Sequence, residues 1–307
     1  MSELDYKLLA ALDKVVSEQG FEPAARQLHL TQSAVSQRIK QLEQRLAQPL
    51  LIRSQPPRPT DAGRRLLAHY RQVSQLQGAV MAELLPDAPQ KPLTVTLATN
   101  ADSLAIWLIP ALTPLLHSHP IELNLLIEDE SRTLDRLRSG EAFGAISVSA
   151  EPLPGCRCDP LGEMEYILVA TPAFRRRYFP DGLTLAALQL APAVAFDQRD
   201  DMHARYIEQH FGLPAGGYPC HAMRSSEAFV AIARSGAAYC LIPRLMIEED
   251  LQQGRLVELY PEGPLFEPLY WHRWLLERGI HQALSRRLVD YGRTVLPPID
   301  SGVTSRV

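Results

Sequence analysis

Two groups of polar side chains in this sequence have types and spacings that could do chemistry. The first is Gln32, Ser33, Ser36, Gln37 and Arg38, which helical spacing places on one outer face. Short polar groups at the start of a helix suit base edges in the major groove of DNA. Thr31, Arg53 and Arg58 flank them and suit phosphate oxygens, which fix register without reading sequence. From Gly20 to Arg71 there are nine basic residues (Arg26, Arg38, Lys40, Arg45, Arg53, Arg58, Arg64, Arg65, Arg71) against Glu22, Glu43 and Asp61, a net of 9 − 3 = +6. The whole chain is formally −4, so the positive charge is concentrated where phosphate binding needs it. A solvated helix surface is the plainer alternative for Ser33 and Ser36.

The second group is acidic and lies further along. Asn100, Asp102 and Ser103 follow a strand-like run, and Ser103 is expected to open a helix whose hydroxyl and amides suit a carboxylate. Glu128, Asp129 and Glu130 end another run, and Asp197, Asp200 and Asp201 follow a third. Ligands of open α/β lobes bind outside the strand ends, so these mouths favour a cation over an anion. Ser225, Ser226 and Glu227 begin a further helix. Capping remains an open alternative for the serines, as does plain solvation for the carboxylates.

These groups need elements to position them. Tyr6–Gln19 carries Leu8, Leu9, Leu12, Val15 and Val16 at helical spacing, and Gly20 stops it. Phe21–Leu28 reads as a short helix whose Ala24 and Ala25 allow close approach. Thr31 caps a third helix, Gln32 to about Leu46, with Val35, Ile39, Leu42 and Leu46 inward and Pro49 as its end. Leu50–Arg53 and Arg58–Thr60 form two short arms around a Pro-rich tip, a wing. Thr60 then caps a long helix to about Leu85, in which Leu66, Val73 and Val80 recur every seven residues beside Tyr70, predicting a dimer seam. An amphipathic helix lying on its own subunit is the other reading.

Pro86–Pro92 reads as a hinge. Strand and helix runs then alternate, an α/β pattern in two lobes. Strands are expected at Leu93–Ala98, Ile121–Glu128, Gly144–Val148 and Glu165–Val169, then at Ala193–Phe196, Tyr218–His221, Ala238–Leu241 and Leu256–Leu259. Leu269–Arg273, with Trp271, His272 and Trp274 packing nearby, and a helix Ile280–Val295 return to the first lobe. The expected domains are residues 1–60, a winged helix-turn-helix; 61–91, the linker helix and hinge; and 92–307, the effector domain. Lobe one of that domain covers about 92–165 and 268–297, and lobe two about 166–267.

Composition limits the alternatives. The chain has 307 residues, 46% hydrophobic and 21% charged, with no apolar run near the roughly 20 residues of a membrane span. Its start lacks the pattern of a secretion signal, so a cytoplasmic location with no membrane partner is expected. Cys156, Cys158, Cys220 and Cys240 complete no familiar zinc pattern, so reduced thiols are expected and neither metal nor cofactor. GxSxG, HExxH, Walker A and GxGxxG arrangements are all absent, which argues against an enzyme. A solute-binding protein would share the two lobes but not the helix-turn-helix, and a thiol-based sensor is a further alternative among regulators.

The stretch FEPAARQLHLTQSAVSQRIKQLEQRL, Phe21–Leu46, resembles the DNA-binding signature of LysR-type transcription regulators, matching at Ala24, Ala25, Leu28, Ser33, Ser36, Ile39, Leu42 and Glu43. The segments QPLLIRSQPPRPT, NADSLAIWLIPAL, FDQRDDMH, PCHAMRSSEAFVAIARSG and YWHR are similar to one subfamily of these regulators, and together they span nearly the whole chain. The resemblance implies a fold with an effector domain like type 2 periplasmic binding proteins. It also implies control of basic amino acid export in response to lysine or arginine, a homodimer or homotetramer, and double-stranded DNA and RNA polymerase as partners. Ala47 stands where the family usually has glycine, and Ile52 where it usually has phenylalanine.

Overall fold

The computed structural model describes residues 4–84, 92–128, 132–196 and 202–299. Three helices open the chain: α1 (Tyr6–Ser17), α2 (Phe21–Gln27) and α3 (Gln32–Leu46). Thr31 caps α3 as expected, its hydroxyl accepting from the Ala34 amide at 3.2 Å. Leu8, Leu9, Leu12 and Val15 of α1 and Val35, Ile39 and Leu42 of α3 share one core, which the buried Ala24 and Ala25 of α2 approach closely. The end of α3 falls where expected, at Leu46, before Pro49 is reached. The helix finishes at Leu46 because Ala47 takes the left-handed conformation, φ 52°, at its C-cap.

Two short strands, β1 (Leu51–Ile52) and β2 (Arg58–Pro59), pair antiparallel as the wing. Glu43 Oε1 accepts from the Leu50 and Leu51 amides at 2.8 and 3.3 Å, which fixes the wing to the back of α3. Ile52 is exposed, so its replacement of an aromatic residue empties no core.

Helix α4 (Asp61–Leu84) starts at Thr60, whose Oγ1 accepts from the Gly63 amide. Its first half lies on its own subunit: Leu67 is buried, and Leu66 and Tyr70 are half-buried against the α1–α3 core. Val73 is half-buried, whereas Val80, Met81 and Leu84 are exposed. Arg71 ties three parts together, donating to Asp13 Oδ1 on α1 at 2.6 Å and to the Ser139 carbonyl of the next domain at 3.1 Å. Beside it, Gly140 has φ +69°, and a Cβ there would lie 2.8 Å from the Ala68 Cα of α4, so only glycine lets this loop meet the helix. Residues 85–91, most of the expected hinge, lie outside the described residues.

The rest of the chain alternates strands and helices. In order these are β3 (Leu93–Thr99), α5 (Ala101–Ser103), a π-helical turn (Leu104–Leu108), α6 (Ile109–Ser118), β4 (Ile121–Ile127), α7 (Thr133–Arg138), β5 (Gly144–Ser147) and β6 (Cys156–Ala170). Then come α8 (Pro172–Tyr178), α9 (Leu185–Leu190), β7 (Ala193–Ala195), α10 (Met202–Phe211), β8 (Cys220–Ala222), α11 (Ser226–Ser235), β9 (Cys240–Pro243), α12 (Arg244–Gln252), β10 (Val257–Glu258), β11 (Leu265–Trp274) and α13 (Gly279–Val295). The π turn sits just before Pro110, whose missing amide hydrogen removes a rung of the helical ladder.

One sheet runs β10-β6-β11-β5-β3-β4, with β9 also on β6. Strands β4 and β5 flank β3 in parallel, and the long antiparallel pair β6 and β11 carries the chain between the lobes. Sequence patterning identified only parts of these two strands. Pro160 and Gly162 interrupt β6 opposite a register shift at Leu269/Tyr270, which disguises a continuous strand as a turn. Gly162, φ +144°, is packed under Leu296, whose Cβ would sit 2.5 Å from any added Cβ. Helices α8 and α9 were not anticipated. The aromatic readings at the return strand agree with the structure: Trp271 and His272 are fully buried, and the Trp271 indole donates to Ser285 Oγ at 3.1 Å.

Candidate functional site

The basic end presents a continuous polar surface. Thr31, Gln32, Ser33 and Gln37 are exposed, and Ser36 and Arg38 are half-exposed on the same outward side of α3. The inward positions of that helix anchor it through Val35, Ile39 and Leu42. Gln32 and Arg53 line one groove between α3 and the wing, and the Arg53 guanidinium lies 6.0 Å from the Phe21 ring centre, extending its charge outward. Arg58 is exposed on β2. A convex helix flanked by a cationic wing can enter a major groove while the wing follows the phosphates.

The second site is a cleft of about 620 Å³, counting its open mouth, where β3 and β6 meet α10 and α11. Asn100 is almost fully buried and caps the helical run, its Oδ1 accepting from the Ser103 amide at 3.2 Å. Its Nδ2 has no partner among the described residues. Two residues on, the half-buried Asp102 accepts from Tyr166 Oη at 2.6 Å and from Ser226 Oγ at 2.5 Å. Desolvation pushes the Asp102 carboxyl above its ordinary range, against the opposing pull of the Ser226 and Tyr166 hydroxyls. The Ser226–Asp102 bond ties α11, which Ser226 opens, to α5, which carries Asp102. Val194, Phe229, Leu241 and Ile242 give the cleft an apolar wall, and neither lysine nor arginine lines it among the described residues.

Of the sequence-derived effector residues, Asn100, Asp102, Glu128 and Ser226 come together in this cleft. Glu128 is already matched in charge, since its Oε1 accepts from Arg136 Nε at 2.9 Å, and Arg136 also pairs with Glu141 at 2.7 Å. Ser103 is a correction. Asn100, not Ser103, caps the helix, and Ser103 is wholly buried one turn in, away from the cleft lining. Ser225 likewise acts as a cap, accepting from the Ala228 amide and donating to Glu227, while its neighbour Ser226 faces Asp102. Asp129 and Asp197 lie outside the described residues. Sequence reasoning missed Tyr166 and His203. Tyr166 looks like a core aromatic on an apolar strand, and the only signal for His203 was its place at the end of the FDQRDDMH segment.

Among the described residues none of the four cysteines forms a disulfide. Burial pushes Cys156 and Cys158 up to about 11, and Cys240 higher still, so these three hold their protons at neutral pH.

A winged helix-turn-helix joined to a two-lobed, ligand-sized cleft defines a ligand-responsive DNA-binding regulator, and comparison with known proteins agrees. Residues 6–64 match the bacterial regulatory helix-turn-helix protein, lysR family, and residues 88–297 match the LysR substrate binding domain. The HTH-type transcriptional regulator ArgP of Aeromonas salmonicida is 63% identical over 97% of this chain and 100% of its own length. That of Photobacterium profundum is 57% identical over the same shares. Among solved structures, ArgP from Mycobacterium tuberculosis superposes with a TM-score of 0.85 at 35% identity, covering 96% of this chain and 100% of that one. Full-length LysG from Corynebacterium glutamicum with bound effector Arg gives 0.79 at 32% identity, with the same coverage. The chain therefore belongs to the LysR family of DNA-binding transcriptional regulators and, within it, to the ArgP group. No helix among the described residues is long and apolar enough to cross a membrane.

Proposed function

We propose that this regulator senses arginine or lysine in the interlobe cleft and, as a dimer or tetramer acting with RNA polymerase, controls genes for basic amino acid export or metabolism. The observation that carries this reading is an amide donor without a partner among the described residues, Asn100 Nδ2, beside the Asp102 carboxylate in a cleft that, among those residues, neither lysine nor arginine lines. An α-amino acid offers the complement, a carboxylate for Asn100 and an ammonium for Asp102. The excess of negative charge then favours a cationic side chain. The LysG neighbour, whose bound effector is Arg, supports the same choice. Regulation follows only if the effector prefers one arrangement of the lobes, because equal affinity for both shifts nothing. The Asp102–Ser226 bond lies where such a preference would act.

The chain acts by binding rather than by turnover, and the protonated thiols disfavour a thiol switch. Thr31, Gln32, Ser33, Ser36, Gln37, Arg38, Arg53 and Arg58 are the DNA contacts of this reading. The half-buried Val73 and the exposed Val80 of α4 belong to its dimer seam. Calorimetric titration of the full chain tests the effector: arginine or lysine should bind one site per chain, and citrulline and glutamate far more weakly. Tighter binding of an anionic metabolite would reject it.

A further inference from the structure

The other cleft wall holds a second unpartnered polar group. His203, in the first turn of α10, is 3% exposed and lines the cleft, yet among the described residues neither of its ring nitrogens has a hydrogen-bond partner. The rings of Tyr218 and Tyr239 lie 5.7 and 5.6 Å from its own, holding the imidazole in place. Burial lowers its pKa to about 4, so at neutral pH the ring presents one N–H and one bare lone pair, with no charge to repel a cation. Buried polar groups in native proteins are almost always paired, and an unpaired one facing a ligand-sized cleft points to a ligand atom.

Building on the reading of the cleft as a basic amino acid site, we propose that His203 is a specificity-determining contact of lobe two. Its unprotonated ring nitrogen accepts a hydrogen bond from the guanidinium or ammonium end of the effector, while Asn100 and Asp102 hold the α-carboxylate and α-ammonium. An apolar side chain of similar length leaves the imidazole unpaired and is rejected for that reason. Asp102 thus selects for an amino acid, and His203 for a polar, donating end to its side chain.

The test is calorimetric titration of the full chain with arginine, lysine and norleucine, before and after His203→Phe, which keeps a ring between Tyr218 and Tyr239. The variant should bind the preferred basic amino acid at least about tenfold more weakly, leave norleucine affinity unchanged or stronger, and so lose most of the preference between them. His203→Gln, which retains a side-chain acceptor, should recover part of the preference. Should the Phe variant not fold, His203→Met makes the same comparison. A retained preference, or an equal loss for all three ligands, would overturn the proposal and leave His203 a structural residue satisfied by buried water beside Tyr239. If the unmodified protein binds neither arginine nor lysine, the reading of the cleft itself fails, and the role of His203 falls with it.

Discussion

Replacing Asp102 with asparagine separates recognition from stability. The amide keeps the shape of the side chain and one good acceptor, so one of the two hydroxyls from Tyr166 and Ser226 loses its bond, at a cost of about 1 kcal/mol. Against that, the desolvated charge disappears. Because the folded-state carboxyl is raised, Asp102 contributes stability that is fully present below the ordinary carboxylate range and lost as pH rises through its folded value. At neutral pH the two effects oppose each other, and the net change should stay within about 1 kcal/mol. Binding should respond differently. Loss of a hydrogen-bonded charge partner costs about 2 to 5 kcal/mol, which is about 30-fold to a few thousandfold in affinity. Urea unfolding at pH 5 and pH 8 should show the stability of the variant relative to wild type improving with pH, and calorimetry should show arginine and lysine binding collapse. A folded Asp102→Asn protein that binds arginine within threefold of wild type would refute this assignment and leave Asp102 a clasp between the lobes.

Four further outcomes follow from other parts of the molecule. Burial holds His203 and His281 at about 4, below the ordinary imidazole value of about 6.5, so both contribute stability that is lost as pH falls between those values. Acidification from pH 7 to pH 4 should cost about 3 kcal/mol per histidine in urea titrations, and His281→Phe should flatten that dependence. Ala47→Gly relieves the left-handed C-cap of α3 and should stabilise the DNA-binding domain by about 0.5 to 1 kcal/mol with DNA affinity unchanged; a lower melting temperature would contradict the cap geometry. Arg53→Ala and Arg58→Ala should each lower the salt dependence of binding on all DNA sequences by about one unit, whereas Gln37→Ala should reduce operator discrimination first. Val73→Asp should convert dimers to monomers in light scattering, and an unchanged mass would place the seam elsewhere on α4.

The DNA-binding end was legible because its signals are local. A 3.6-residue apolar period fixes the buried side of α3, Thr31 caps it, and the short wing strands bracket a proline-rich tip. Its C-terminal end near Leu46 was legible too, and Ala47, standing where the family usually has glycine, takes the left-handed conformation that glycine prefers. The cleft was half legible. Asn100 and Asp102 follow a strand end, where α/β ligands bind, but the neutral His203 and the strand-borne Tyr166 reach the cleft only through tertiary packing. Ser103 was misplaced by one helical turn because Asn and Ser are equally good caps, and only the backbone decides between them. The long strand β6 was hidden because Pro160 and Gly162 sit at a bulge instead of at a turn.

Footprinting on DNA selected by the full chain tests the DNA-reading helix and the cleft for a basic amino acid at once. With arginine or lysine present, the protected region should change in length, or in the pattern of hypersensitive positions that marks bending, while citrulline and glutamate leave it unaltered. An identical footprint under all four conditions, or one altered by glutamate alone, would contradict the account.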